Sequence, residues 1–210
     1  MGWREHFEDL RIETLRVALV VGDDALVDRL GDVAAEHVTP MNPTPFRVTW
    51  DHLPAEERKA FIVGRQAECW DTFSLEGWRV PLVVCVDGVP VGEVLLSGQR
   101  FREARTFGTA GWLGEPWRGQ GLGFEMRRAA LQFGFGALSA DRAITQSFSD
   151  NAAALAVTKR LKYDLSGASL YVGGANTGRR LLHHRLGRRK WESYVRSDRI
   201  TMEGVCHHFP

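Results

Sequence analysis

The sequence predicts an α/β fold: one domain built on a mixed, mostly antiparallel sheet flanked by helices. Three observations predict it. Two β-branched runs, Val80–Val86 and Val89–Leu96, flank Asp87-Gly88, a pair that favours a tight hairpin and so demands antiparallel pairing. The stretch from Thr106 to Phe148 reads strand, glycine-rich loop, amphipathic helix, strand, which implies a right-handed crossover and a parallel pair. Further amphipathic runs on either side supply the helical layers.

The remaining elements follow in order. Glu13–Val21 is β-rich and partly alternating, and reads as one strand closed by Gly22-Asp-Asp24. Asp23 or Asp24 then caps a helix with Ala25, Leu26, Leu30, Val33 and Ala34 on its apolar stripe. Three prolines between Pro40 and Pro45 enforce a loop. A second helix is expected from Ala55 to about Phe73, with Pro54 near its first turn and Glu56-Glu57 suiting its N-terminus. Past the hairpin comes a strand at Thr106–Leu113. A helix follows with Leu122, Met126, Ala129, Ala130, Phe133 and Ala137 on one stripe. Ala143–Phe148 is the next strand, and Ser149-Asp-Asn151 caps an alanine-rich helix reaching about Leu161. Ser169–Val172 and Arg180–Leu186 are late strand candidates, and the chain from Trp191 reads as a polar tail.

Composition narrows the function. A 210-residue chain with 44% hydrophobic and 25% charged residues suits one globular domain with a full core. Lys+Arg 27 against Asp+Glu 26 argues against nucleic-acid binding by a broadly basic surface. No run reaches the length of a membrane-spanning helix, and the first residues lack the apolar core of a signal peptide, so the cytoplasm is the expected location. Cys69, Cys85 and Cys206 form neither a disulfide framework nor a C-x-x-C pair, and Cys206-His207-His208 has no partner at ligand spacing. No metal site is expected.

The chemistry centres on Gly111–Met126. Gly119, Gly121 and Gly123 alternate where a helix should start, and glycine lets backbone N–H groups approach a ligand closely. A helix start leaves those groups unpaired and partly positive, which makes a seat for a phosphate. No Gly-Lys-Ser/Thr ends the loop, which excludes a Walker A motif. A dinucleotide fingerprint fits poorly. The second and third glycines are one residue apart, and Asp141 lies near the end of the same helical segment rather than after a second strand. What is left is Arg118-Gly-Gln-Gly121-Leu-Gly123, of the form Arg/Gln-x-x-Gly-x-Gly.

That segment resembles the acyl-CoA pyrophosphate loop of the GNAT superfamily, and the element order is similar too. Gly111-Trp-Leu, Trp117–Gly123, Phe124-Glu125 and Asp150–Leu155 resemble successive blocks of its RimJ/RimL-like branch. Arg160–Tyr163 resembles the turn ending its last helix, Arg188–Trp191 its closing strand and Glu13–Val17 its opening strand. The likeness spans residues 10–191, taken as the domain, with residues 192–210 as a C-terminal tail.

The resemblance implies an N-acyltransferase that moves an acetyl or succinyl group from acyl-CoA to a primary amine of a small molecule or protein. It implies that Arg118, Gly119, Gln120, Gly121, Leu122 and Gly123 hold the CoA pyrophosphate. Trp112 and Leu113 would pair with the pantetheine, and Asn151 would contact CoA. The expected partners are acyl-CoA and the amine, with no metal, nucleic acid or membrane, and a homo-oligomer is compatible with the family. Three positions depart from the pattern. Ala154 stands for a serine that acts as acid, Thr109 for a strand glutamate, and Lys162 for a glycine. The alternative reading is therefore a non-catalytic acyl-CoA-binding or regulatory protein, and an NAD-dependent oxidoreductase is a poorer rival.

Glu93, alternating with Val91 and Leu95, is the candidate general base, and Glu103 a second carboxylate considered for that role. Tyr163 is a candidate acid. Trp50, Trp70 and Trp78 are candidates for an apolar acceptor pocket. Arg102, Arg105, Arg179, Arg180, Arg185 and Arg188-Arg189-Lys190 could meet an anionic substrate group.

Overall fold

The computed structural model describes residues 3–197 and 199–204. In chain order the elements are β1 (Arg11–Glu13), β2 (Ala18–Val20), α1 (Asp24–His37), α2 (Ala55–Asp71), β3 (Gly77–Val86) and β4 (Val89–Gln99). There follow α3 (Phe101–Ala104), β5 (Thr106–Leu113), α4 (Leu122–Gln132), β6 (Arg142–Phe148) and α5 (Ala152–Arg160). β7 (Asp164–Leu170), β8 (Arg180–Gly187), α6 (Arg188–Tyr194) and β9 (Thr201–Glu203) complete the chain. The strands form one sheet in the order β7-β8-β6-β5-β4-β3-β2-β1-β9. β5 and β6 are parallel, and the other neighbours are antiparallel. The mixed, mostly antiparallel α/β sheet expected from the sequence is present.

Successive side chains of a strand point to opposite faces, so a strand buried on both sides reads as a continuous apolar run. β3 does so. Leu82 and Val84 enter a core shared with α4, and Val83 and Cys85 enter a second core beneath α1 and α2. Asp23, not Asp24, caps α1, its carboxylate accepting the Leu26 amide at 2.7 Å. Both described cysteines are buried and unpaired, and desolvation pushes the Cys69 thiol up to about 11. Cys206-His207-His208 lies outside the described residues.

Four expectations need correcting. The single strand at Glu13–Val21 is two strands, because the chain turns at Thr14. The Thr14 amide donates to the Val17 carbonyl at 2.8 Å, and its hydroxyl accepts the Val17 amide at 3.0 Å. Leu15, which completes the apparent alternation, sits exposed at the tip. The late strand begins at Asp164 rather than Ser169; it is a fully exposed edge strand, and an edge strand without an apolar face leaves no periodic signal. Arg188–Trp191 is helical, not a closing strand, and Trp191 stacks on Phe135 at 4.9 Å between centroids. Downstream of residue 191, β9 pairs antiparallel with β1, Ile12 opposite Met202, so part of the expected tail belongs to the sheet.

After Gln132 the last turn of α4 widens into a π-turn at Phe133–Ala137. Gly134 explains the close packing there. A Cβ at this position would fall 2.2 Å from the Phe107 ring, so only glycine lets the helix lie against β5.

Candidate active site

The site forms where β5 and β6 part. They pair at Thr106–Arg142, Phe107–Ala143 and Gly108–Ile144, and then diverge although β5 continues to Leu113 and β6 to Phe148. At the apex a side chain replaces the next backbone bond: the Thr145 hydroxyl donates to the Thr109 carbonyl at 3.0 Å. Backbone groups along a strand point alternately to its two edges. The Gly114 amide donates to Val91 of β4, so Trp112 and Gly114 face β4 while Thr109, Gly111 and Leu113 face the gap. Of the pair singled out from the sequence, Leu113 therefore offers its amide to the gap. Trp112 is held by β4, and its indole is buried against Trp50 at 5.3 Å. Gly111, within the motif, is the gap-facing residue overlooked.

At the open end of the gap lies the glycine loop. Gly119 and Gly121 have φ of +74° and +83°, a left-handed geometry that L side chains rarely adopt, and Gly121 is the residue before α4. Among the described residues, none of the backbone amides from Gly119 to Gly123 donates to a protein acceptor. Consecutive free amides at the positive end of a helix form an anion seat. Open space surrounds the Gly119 Cα where a side chain would be. Gly123 already has helical geometry, and a Cβ there would make ordinary contacts at 3.8 and 3.9 Å with Leu113 and Val157.

Two arginines brace this loop. Arg118 turns back, its Nε donating to the Leu113 carbonyl at 2.8 Å, and burial lowers its pKa from the usual guanidinium value against the opposing charges of Glu115 and Asp51. Arg118 thus fastens the loop to the strand end. Gln120 donates to the Pro116 carbonyl at 2.6 Å, closing the turn. Arg16, at the β1–β2 turn, donates to the Gln120 carbonyl at 3.0 Å and pairs with Glu125 in the first turn of α4. Arg16 had no signal in the sequence, since its partners lie more than a hundred positions away.

Across the gap, Asn151 caps α5: its side-chain oxygen accepts the Ala154 amide at 3.1 Å. Its Nδ2 has no acceptor among the described residues and is free to donate. Leu122 is buried beneath the loop.

The candidate base is buried and held on both carboxylate oxygens. Glu93 is 2% exposed and on the α2 face, not solvated. Arg65 donates to one carboxylate oxygen at 2.6 Å, and Gln66 to the other at 2.9 Å. Glu103 is exposed on α3, 3.9 Å from the guanidinium of Arg100. Tyr163 lies at the gap apex, 8% exposed, beside Thr109 and Arg127. Burial raises its pKa, and contacts of its hydroxyl with Arg127 and the Thr109 side chain oppose the rise. It is a neutral hydroxyl at physiological pH.

The three tryptophans are core residues rather than pocket walls. Trp50 and Trp78 are buried, the latter edge-on to Phe101, and Trp70 packs on Phe7. Half of the basic residues named above are also engaged, Arg188 among them through the Phe135 carbonyl. Arg105 holds the Leu138 and Ser139 carbonyls, Arg179 pairs with Asp150 at 2.7 Å, and Lys190 pairs with Asp164 at 2.5 Å. The loop between α1 and α2 instead meets the loop after β7. Asn176 donates to Phe46 and Arg179 to Thr44, around a cavity of about 220 Å³ that includes His52.

Comparison with known proteins agrees with this geometry. The chain matches the family model described as an acetyltransferase (GNAT) domain over residues 23–164. Solved structures of the same fold include a GNAT-family acetyltransferase from Bacillus anthracis, 13% identical, with a TM-score of 0.66 over 85% of this chain and 99% of that one. RimJ of Mycobacterium smegmatis, in complex with CoA-disulfide, is 16% identical, with a TM-score of 0.67 and 88% of each chain covered. RimL, a ribosomal alpha-N-protein acetyltransferase in complex with coenzyme A, is 14% identical, with a TM-score of 0.66 over 84% of this chain and 97% of that one. At such identities the likeness to these structures is one of fold, whereas the family model spans most of the chain. The protein belongs to the GNAT family of acyl-CoA-dependent N-acetyltransferases.

Proposed function

We propose that acyl-CoA lies along the gap between β5 and β6, its pyrophosphate on the amides from Gly119 to Gly123, and that the acceptor is a primary amine of a small molecule or a protein terminus. The run of five amides without an acceptor carries this reading. Each charge-assisted bond to a phosphate oxygen is worth about 1.5–3 kcal/mol, so even two or three would anchor the cofactor. The pantetheine amides then pair with Gly111 and Leu113 as an added strand would, and Asn151 Nδ2 donates from the other wall.

When bound, the thioester supplies an activated acyl carbon. The protein's part is to hold that carbon still and admit the amine from the α1–α2 side, where the small side chain of Ala110 leaves the sheet exposed. Bond formation between amine nitrogen and acyl carbon expels the CoA thiolate. One proton leaves the amine, and one reaches the sulfur. Positioning supplies most of the acceleration in such a transfer. Glu93 fits a structural part better than that of base, because both its oxygens are already engaged by α2.

Asn151→Asp separates capping from CoA contact. Aspartate keeps the acceptor for the Ala154 amide and loses the free donor. Calorimetry is expected to show CoA affinity reduced about tenfold, the worth of one such hydrogen bond, at an unchanged melting temperature. Equal loss of both would make Asn151 a cap only.

Steady-state thiol release with acyl-CoA and a panel of amines tests the activity itself. Acyl transfer to at least one amine is expected. CoA binding without turnover on any amine would favour the non-catalytic alternative.

A further inference from the structure

The apex of the gap is more polar than an acetyl methyl requires. Arg127, on α4, donates through Nη2 to the Thr109 hydroxyl at 2.7 Å and to the Thr145 hydroxyl at 2.9 Å. Among the described residues no carboxylate pairs with it, and its Nε is buried without an acceptor. Ser147 Oγ, two residues along β6 from Thr145, and His184 Nδ1 are further buried polar atoms without a partner among the described residues. Tyr163, Thr109, Thr145 and Ser147 are each more than nine-tenths buried. His184, paired in register with Thr145, sits on the same face. Buried polar atoms in folded proteins are as a rule satisfied, so a cluster of orphans around an uncompensated cation marks a place for a ligand that brings the missing acceptors.

Position says which ligand. An extended chain anchored at Gly119–Gly123 and paired along Gly111 and Leu113 runs down the strand edge toward Thr109. At about 3.3 Å per residue, Leu113 to Thr109 spans about 13 Å. Whatever that chain carries at its end is delivered to Arg127. We infer that the apex is an acyl-group subsite that selects a donor whose acyl chain ends in a carboxylate, with Arg127 as the specificity-determining cation and Tyr163 as a second donor. This rests on the placement of acyl-CoA given above. A guanidinium with an N–H group still unpaired matches a carboxylate in charge and in hydrogen bonding, which a methyl group does not.

Binding measurements test this without knowledge of the acceptor amine. Succinyl-CoA and butyryl-CoA share a four-carbon acyl chain and differ at the terminus. Calorimetric titration of the wild-type protein with CoA, butyryl-CoA and succinyl-CoA is expected to show succinyl-CoA binding at least about tenfold tighter than butyryl-CoA. In Arg127→Gln that ratio is expected to fall to near one, with unacylated CoA measured in parallel as the reference. Equal or weaker binding of succinyl-CoA by the wild type would overturn the subsite, whether or not the variant folds. A preference that survives in a folded Arg127→Gln would overturn the role of Arg127. Failure of all three ligands to bind would instead strike the placement of acyl-CoA, and the subsite with it.

Discussion

Replacing Gly121 by valine is expected to lower CoA affinity by a factor of about 100 or more, with the melting temperature down by only a few degrees. Gly121 holds φ +83° immediately before α4. An L residue in the left-handed region costs about 1–2 kcal/mol, and a β-branched one more. The exposed loop can escape by flipping to negative φ, but the flip turns the adjacent amides away from the ligand. Loss of two charge-assisted bonds at about 1.5 kcal/mol each gives the hundredfold figure. Gly123→Ala is the control. Its backbone is already helical and its Cβ has room, so alanine there should leave stability equal or higher by up to about 1 kcal/mol. Calorimetry with CoA and thermal melts of both variants read the contrast. A Gly121→Val protein that binds CoA within twofold of wild type would remove the loop from the site.

Arg65→Met is expected to destabilise the fold by about 3 kcal/mol, because it strands the Glu93 carboxylate in a dry setting with Gln66 as its one partner. Arg65 itself is 21% exposed, which places the cost at the lower end of the range for broken buried pairs. For a domain of this size each kcal/mol moves the midpoint by roughly 2–4 °C, so a fall of roughly 6–12 °C follows. Pairing Arg65→Met with Glu93→Leu should recover most of it, since replacing both charges removes the stranded anion. A single variant melting within about 2 °C of wild type would contradict the ion pair's part in holding α2 on the sheet. Glu93→Gln adds the catalytic readout. Its pH profile for kcat/KM is expected to keep the acidic limb of wild type, whereas loss of that limb would make Glu93 the base after all.

Much of this was legible because local rules and tertiary structure agree. Asp87-Gly88 is the hairpin turn, Thr106–Leu113 is β5, and Asn151 caps α5, each where turn, strand and cap chemistry place it. The glycine loop was legible for a similar reason, since only an unusual backbone needs glycine at Gly119 and Gly121. Reading failed where the deciding partner is remote in sequence. Nothing near Glu93 announces Arg65 and Gln66, and nothing near Gln120 announces Arg16. β7 and β9 are edge strands with no buried run to betray them. The tryptophans misled because a large aromatic looks the same in sequence whether it lines a pocket or fills a core. Arg127 falls off the apolar stripe of α4, and nothing local in the sequence marks it. The parting of β5 and β6 turns it into the cation of a buried apex.

The central claim is that the free amides from Gly119 to Gly123 receive the pyrophosphate of acyl-CoA, and titration of the ¹⁵N-labelled protein with CoA tests it most directly. The largest amide shift changes are predicted at Gly119, Gln120, Gly121, Leu122 and Gly123, with smaller ones at Gly111 and Leu113 along the open edge of β5. Saturable CoA binding with those loop amides unmoved, and the changes clustered on another face of the sheet, would contradict it.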